Sequence, residues 1–182
     1  MPTILSHPAV PLAIGLGLGS ETISRRLLWT GVAGSILPDL DVIAFRFGIP
    51  YSAEFGHRGF SHSLLFAALF AVTVTCAVRT FRAHWVGSFL FLLLATASHG
   101  LLDSLTNGGL GIAFFWPWSA ERFFAPVQVI EVSPLGISRF LGWRGIAVLA
   151  SELLWLWLPC GIFAVAIAAC RRLMSGFKRS AL

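Results

Sequence analysis

Seven side chains able to hold a proton or a metal ion fall in four short parts of this sequence. His7 lies near the start; "LPDLDV" carries Asp39 and Asp41; "GHRGFSHS" carries His57 and His62 on either side of Arg58; "SHGLLDSLTNGG" carries His99 and Asp103. His99 and Asp103 are four residues apart, so on a helix they project from one face, one turn apart. An imidazole and a carboxylate at that spacing can share a divalent ion or simply hydrogen-bond to each other. Asp39 and Asp41 stand beside a proline that disturbs a helix, and two carboxylates so close repel unless water or a positive charge lies between or beside them. His57 and His62 are five apart, the wrong spacing for one helix face. A turn at Gly59, followed by a helix starting near Ser61 with that hydroxyl as its N-cap, would fold His57 back toward His62.

Taken together, four histidines and three aspartates with no thiolate suit zinc first, with manganese or iron as alternatives, and their number allows from one to three ions. Metal-bound water loses a proton near neutral pH, and an aspartate that is not a ligand, Asp41, could accept it. Arg58 stays protonated and does not ligate; its guanidinium is shaped to hold a phosphate or carboxylate. Hydrolysis follows from such a set.

These residues need elements to position them, and the composition says what kind. Of 182 residues 57% are hydrophobic and 12% charged, too little polar surface to cover a water-soluble globule. The expected fold is an all-α, polytopic membrane bundle of four to five transmembrane helices forming a single domain over 1–182. Apolar runs long enough to cross, or nearly so, cover Leu27 to Phe45, Ser63 to Val78, Trp85 to Leu102 and Gly145 to Cys170, with a shorter run from Pro8 to Gly19. Polar interfacial segments are expected at about 39–62 and 104–144; the second is rich in Gly, Pro and aromatics and reads as an ordered loop at headgroup depth. No signal peptide is recognisable, so the N-terminus is expected to be retained. Cys76, Cys160 and Cys170 have no paired spacing and read as small buried hydrophobes.

Five alternating crossings sort the basic residues into two sets. Arg25, Arg26, Arg79, Arg82, Arg171, Arg172, Lys178 and Arg179 fall on one face, against Arg46, Arg58, Arg122, Arg139 and Arg144 on the other. The positive-inside tendency puts the larger set in the cytoplasm. The same alternation carries all seven ligand-type residues to the less basic, extracytoplasmic side, although they were not used in making it. The net charge of +5 is accounted for by topology and anionic headgroups, so membrane lipids rather than nucleic acid are the expected partners.

The early His7 together with "PDLD", "GHRGFSHS", "SHGLLDSLTNGG" and "FFWPWS" resembles the bacterial membrane-bound metal-dependent hydrolases of the YdjM type, over about residues 7–134. That family's His and Asp pattern is similar to that of zinc-dependent phospholipase C. The resemblance implies metal ligation by His7, Asp39, His57 or His62, His99 and Asp103, with Asp41 as ligand or base. It also implies a location in the bacterial inner membrane.

Outside the matched stretch, Glu152 is an acid within an apolar run; such a carboxylate faces the bundle interior and is a candidate catalytic group. The leading expectation is a hydrolase acting on a phosphoester or ester of a small-molecule, lipid or lipid-linked substrate. A metal transporter or channel using the same ligands is the alternative, though transport sites favour the bilayer midplane. A di-iron oxygenase would bring more histidines than the five present.

Overall fold

Serine hydroxyls start two of the helices. Ser24 accepts from the Leu27 amide at 3.3 Å, and Ser63 accepts from the Phe66 amide at 3.1 Å, each satisfying a donor that the first helical turn would leave orphaned. The computed structural model describes residues 1–82, 84–134 and 140–180. Within them run α1 (Ala9–Leu18), α2 (Arg25–Ile36) with a 3-10 segment (Leu37–Phe47) continuing it, α3 (Leu64–Ala77), the single turn α4 (Arg79–Arg82) and α5 (Trp85–Ser104). After a long loop come α6 (Trp143–Glu152), a π-turn (Leu153–Trp157) and α7 (Leu158–Ser180). Arg139, counted above on the less basic face, lies outside the described residues, as do 135–139 of the interfacial loop.

Three stretches are long and apolar enough to cross a bilayer: Arg25–Phe47, Trp85–Ser104 and Trp143–Ser175. α1 and α3 are shorter, and α3 keeps the bounds read from the sequence, with Ser63 and Val78 as its caps. α3 has 14 residues, about 21 Å of helix against a hydrocarbon core of about 30 Å. Its N-cap is Ser63, because Ser61 is turned away toward Asp41 in the short 3-10 turn Phe60–His62; the expected cap at Ser61 is corrected accordingly.

Small residues let the helices approach. A Cβ on Gly34 of α2 would come within 2.6 Å of the Phe70 ring and 2.8 Å of Thr96, so α2 packs on α3 and α5 with no room for a side chain there. Ile23, Leu27, Ala71, Phe81, Phe91 and Leu92 form the apolar core nearer the basic end. Leu69, Leu90, Leu94, Ile162, Phe163 and Val165 point outward, as a bilayer solvent allows. Cys76 and Cys170 are also exposed on these faces rather than buried, a correction to the sequence reading, because each lies on the outward side of its helix.

The loop after α5 folds back over the site end of the bundle. Leu105 and Asn107 exchange backbone bonds with Ile130, Ile112 pairs with Phe123, and Ala113 and Phe114 reach Arg58 and Leu64. Ile112 and Ile130 are fully buried, so this loop is an ordered cover, as its composition suggested.

Candidate metal centre

Chain direction brings the polar residues to one end. α1 begins just after His7, the 3-10 segment at the end of α2 carries Asp39 and Asp41, α3 begins just after His62, and α5 ends with His99 and Asp103. His7, Asp39, His57, His62, His99 and Asp103 are all buried, and they meet.

Hydrogen-bond direction fixes the protons. His99 Nδ1 lies 2.7 Å from the Ser35 carbonyl, which only accepts, so Nδ1 carries the hydrogen and Nε2 a lone pair. Ser61 gives its single hydroxyl proton to Asp41 Oδ2 at 2.6 Å. His62 Nδ1 faces that same carboxylate oxygen at 3.2 Å and the Ser61 oxygen at 3.0 Å, so it too must donate. Both rings therefore aim Nε2 lone pairs at each other, 3.0 Å apart. Asp39 Oδ1 is 3.4 Å from His99 Nε2, Asp103 Oδ2 is 3.5 Å from His62 Nε2, and His7 Nε2 is 3.7 Å from an oxygen of each aspartate.

Two lone pairs cannot bond to each other, so a proton or a cation must separate them. With protons alone, burial disfavours the charged ring but hydrogen bonds to Asp103 and Asp41 outweigh it, lifting His62 to about 9. One proton still leaves the rest unsatisfied. Both nitrogens of His7 and both oxygens of Asp39 are buried without a hydrogen-bond partner, whereas Asp103 Oδ2 is ion-paired with Arg58 Nε at 3.0 Å; each unpartnered group costs about 1–3 kcal/mol. His7 stays neutral, pushed down to about 3 by burial and then by His99, on which its ring stacks at 3.7 Å. The donor types suit a divalent cation: ligands of tetrahedral zinc lie about 3.3 Å apart, and three of the six spacings among the atoms of His62, His99, Asp39 and Asp103 are 3.0, 3.4 and 3.5 Å, with all of them within 4.8 Å. These four side chains could hold one ion, and His7 Nε2 lies beside them, 3.7 Å from the other oxygen of Asp39 and of Asp103.

The remaining candidates surround that set. Asp41 accepts from His57 Nδ1 at 2.5 Å, from the Arg58 amide and from Ser61, and it faces His62 Nδ1. It therefore stands behind His62 as an orienting carboxylate. Asp41, His57 and His62 also lie close enough to form a second group of metal-type ligands. Arg58 differs from its expected role as a free anion holder. It is 0% exposed, lies 3.0 Å from Asp103 Oδ2 and donates to the Gly108 and Leu110 carbonyls and to Thr106 Oγ1, so the loop turns it inward. Its φ of 65° is unusual for a residue with a side chain, and its amide bond to Asp41 helps hold it there.

Glu152 is not brought to this cluster. Its carboxylate accepts from the Thr3 amide, from Thr3 Oγ1 at 2.7 Å and from Ser6 Oγ at 2.7 Å, just before the π-turn, and so anchors the segment that delivers His7. Sequence reasoning missed Thr106 and Arg122 and gave Ser61 a capping role in place of its bond to Asp41. Arg122 donates to the backbone carbonyls of His57 and Ala53, clasping the His57 loop; a lone arginine in an aromatic-rich loop was the available signal.

The family described as "YdjM inner membrane protein" matches residues 1–175. Among related proteins, "Inner membrane protein YbcI" of Escherichia coli (strain K12) is 53% identical over 162 residues, 87% of this chain and 92% of that protein. "Inner membrane protein YdjM", from the same strain and from Shigella flexneri, is 36% identical over 84 residues, 44% of this chain and 39% of theirs. No solved structure matches the chain.

Proposed function

We propose that this chain, which belongs to the YdjM family of inner membrane proteins, is a metal-dependent hydrolase acting at the extracytoplasmic face on a phosphoester or ester of a lipid or lipid-linked substrate. The observation that carries the reading is the pair of buried Nε2 atoms of His62 and His99 3.0 Å apart, with carboxylate oxygens of Asp39 and Asp103 at 3.4 and 3.5 Å.

His62, His99, Asp39 and Asp103 would hold the ion, zinc by donor type, with His7 beside the set. When bound, such an ion polarises a substrate oxygen and lowers the pKa of water. The chain's own residues do the rest. Ser35 and Asp41 keep the hydrogens of His99 and His62 on Nδ1, leaving Nε2 free. Arg58 offsets the charge of Asp103 and fixes its orientation. The loop from Thr106 to Phe123 shields this pair from water, which strengthens the electrostatics inside.

The test is a panel of phospholipids, lipid-linked phosphates and simple esters given to the purified, zinc- or manganese-loaded protein. Product release that stops with a chelator and returns with metal is the expected result. Tight metal binding with every phosphoester and ester left intact would overturn the hydrolase reading.

A further inference from the structure

Asp39 is both part of the cluster and part of the wall of a groove of about 400 Å³. The other walls are mainly apolar: Pro2, Ile4 and Leu5 from the segment before α1, Val42 from the 3-10 segment, and Pro134 and Phe140 from the loop before α6. Asp39 supplies the one charged side chain among the described lining residues; it is only 3% exposed, and both its oxygens lack a hydrogen-bond partner. The volume is within the range of roughly 300–1,000 Å³ that small-molecule sites occupy.

We propose that this groove receives a hydrocarbon chain of a membrane lipid and directs the lipid's polar, scissile end at Asp39 and the cluster. The scissile end rests on the hydrolase reading; the chain's place in the groove does not. Two features converge on an amphiphile: apolar walls, and at their polar end the buried Asp39 carboxylate that belongs to the candidate ion-binding cluster. Arg58 is committed to Asp103 and backbone carbonyls and offers no free guanidinium, and the amino group of Met1, which also lines the groove, lies in the field of Asp103 and Asp39. The groove also lies at the site end of the bundle, lined by the segments that precede α1 and α6. Moving a chain from bilayer to groove exchanges one apolar environment for another and gains little by itself. The groove therefore acts as a route that spares the chain from water, and selection falls to the polar end.

The experiment uses the full chain in nanodiscs containing a phospholipid with a photoreactive diazirine on one acyl chain, with labelled peptides mapped by mass spectrometry. Label is expected on the groove peptides around Leu5 and Val42 as well as on outward α7 residues such as Ile162. Val42→Trp, which fills the groove, should cut the groove label by at least about tenfold, the loss produced by about 1.4 kcal/mol. The α7 label and the metal content should not change. Should Val42→Trp fail to retain metal, Leu5→Trp blocks the opposite wall and carries the same expectation. Groove peptides left unlabelled, or labelled equally in a metal-retaining blocked variant, would overturn the proposal. Persistent groove label in a protein that hydrolyses nothing would leave the groove assigned and defeat only the hydrolase reading.

Discussion

His62 and His99 can present their Nε2 lone pairs only because something else takes the Nδ1 hydrogens, so the residues behind the cluster should matter to it. Asp41→Asn replaces the orienting carboxylate by an amide, and should weaken metal binding by about 10–100-fold, the usual loss for such a partner. Competition against a calibrated chelator measures this; an unchanged affinity would show that Asp41 does not set the His62 ring. Arg58→Met removes the partner of a fully buried Asp103 and should destabilise the metal-free protein by about 3–5 kcal/mol. Added metal should recover part of that loss in thermal unfolding, since the ion supplies the missing positive charge; no recovery would separate Arg58 from the metal centre. The residue types and their order along the chain were enough to read the candidate ligands from sequence. The inward turn of Arg58 was not legible, because Gly108 and Leu110, whose carbonyls it meets, lie about fifty positions away in a loop without periodicity.

At the level of elements, His7 depends on a network that α6 supplies. Glu152 accepts from Thr3 and Ser6, and Trp157 of the π-turn donates to Ser6 at 3.0 Å. Glu152→Gln keeps the shape but turns one acceptor oxygen into a donor, stranding at least one partner at a cost of about 1–3 kcal/mol. The expected outcome is a protein that folds and stays in the membrane yet holds its metal less tightly, with increased proteolysis near residues 1–7; unchanged metal affinity would make Glu152 purely structural. Gly34 has a different task, since any side chain there meets Phe70 and Thr96. Gly34→Leu should separate α2 from α3 and α5 and lower the unfolding temperature in detergent, while Gly48→Ala, in open space but at a positive φ, should cost less. Hydrophobic run length revealed every long helix. It also placed α3, whose caps are Ser63 and Val78, but could not show the tight turn before it, which Asp41 holds through Ser61. The identity of that tie depends on a contact twenty residues apart in sequence, which periodicity does not record.

For the molecule as a whole, one end gathers the buried ligand set and its covering loop, and the other gathers Arg25 and Arg79 at helix starts and Arg171 within α7 beside the end of α1. Arg171 also donates to the Leu18 carbonyl at 2.6 Å, joining α7 to the end of α1. On the charge asymmetry we propose that the ligand end faces out of the cytoplasm. In a background with Cys76, Cys160 and Cys170 replaced, Ser52→Cys should react with an impermeant thiol reagent in intact cells, and Glu21→Cys only after the membrane is opened. The reverse pattern would turn the protein over in the membrane without touching the cluster. The most direct test of the metal centre itself is elemental analysis of the protein purified in mild detergent, comparing wild type with His99→Ala and Asp103→Ala. Stoichiometric zinc or manganese in the wild type, lost from both variants while they remain folded, is the predicted result. A folded wild type that holds no metal after reconstitution would mean that protons alone reconcile these histidines and aspartates, contradicting the metal centre and the hydrolase reading built on it.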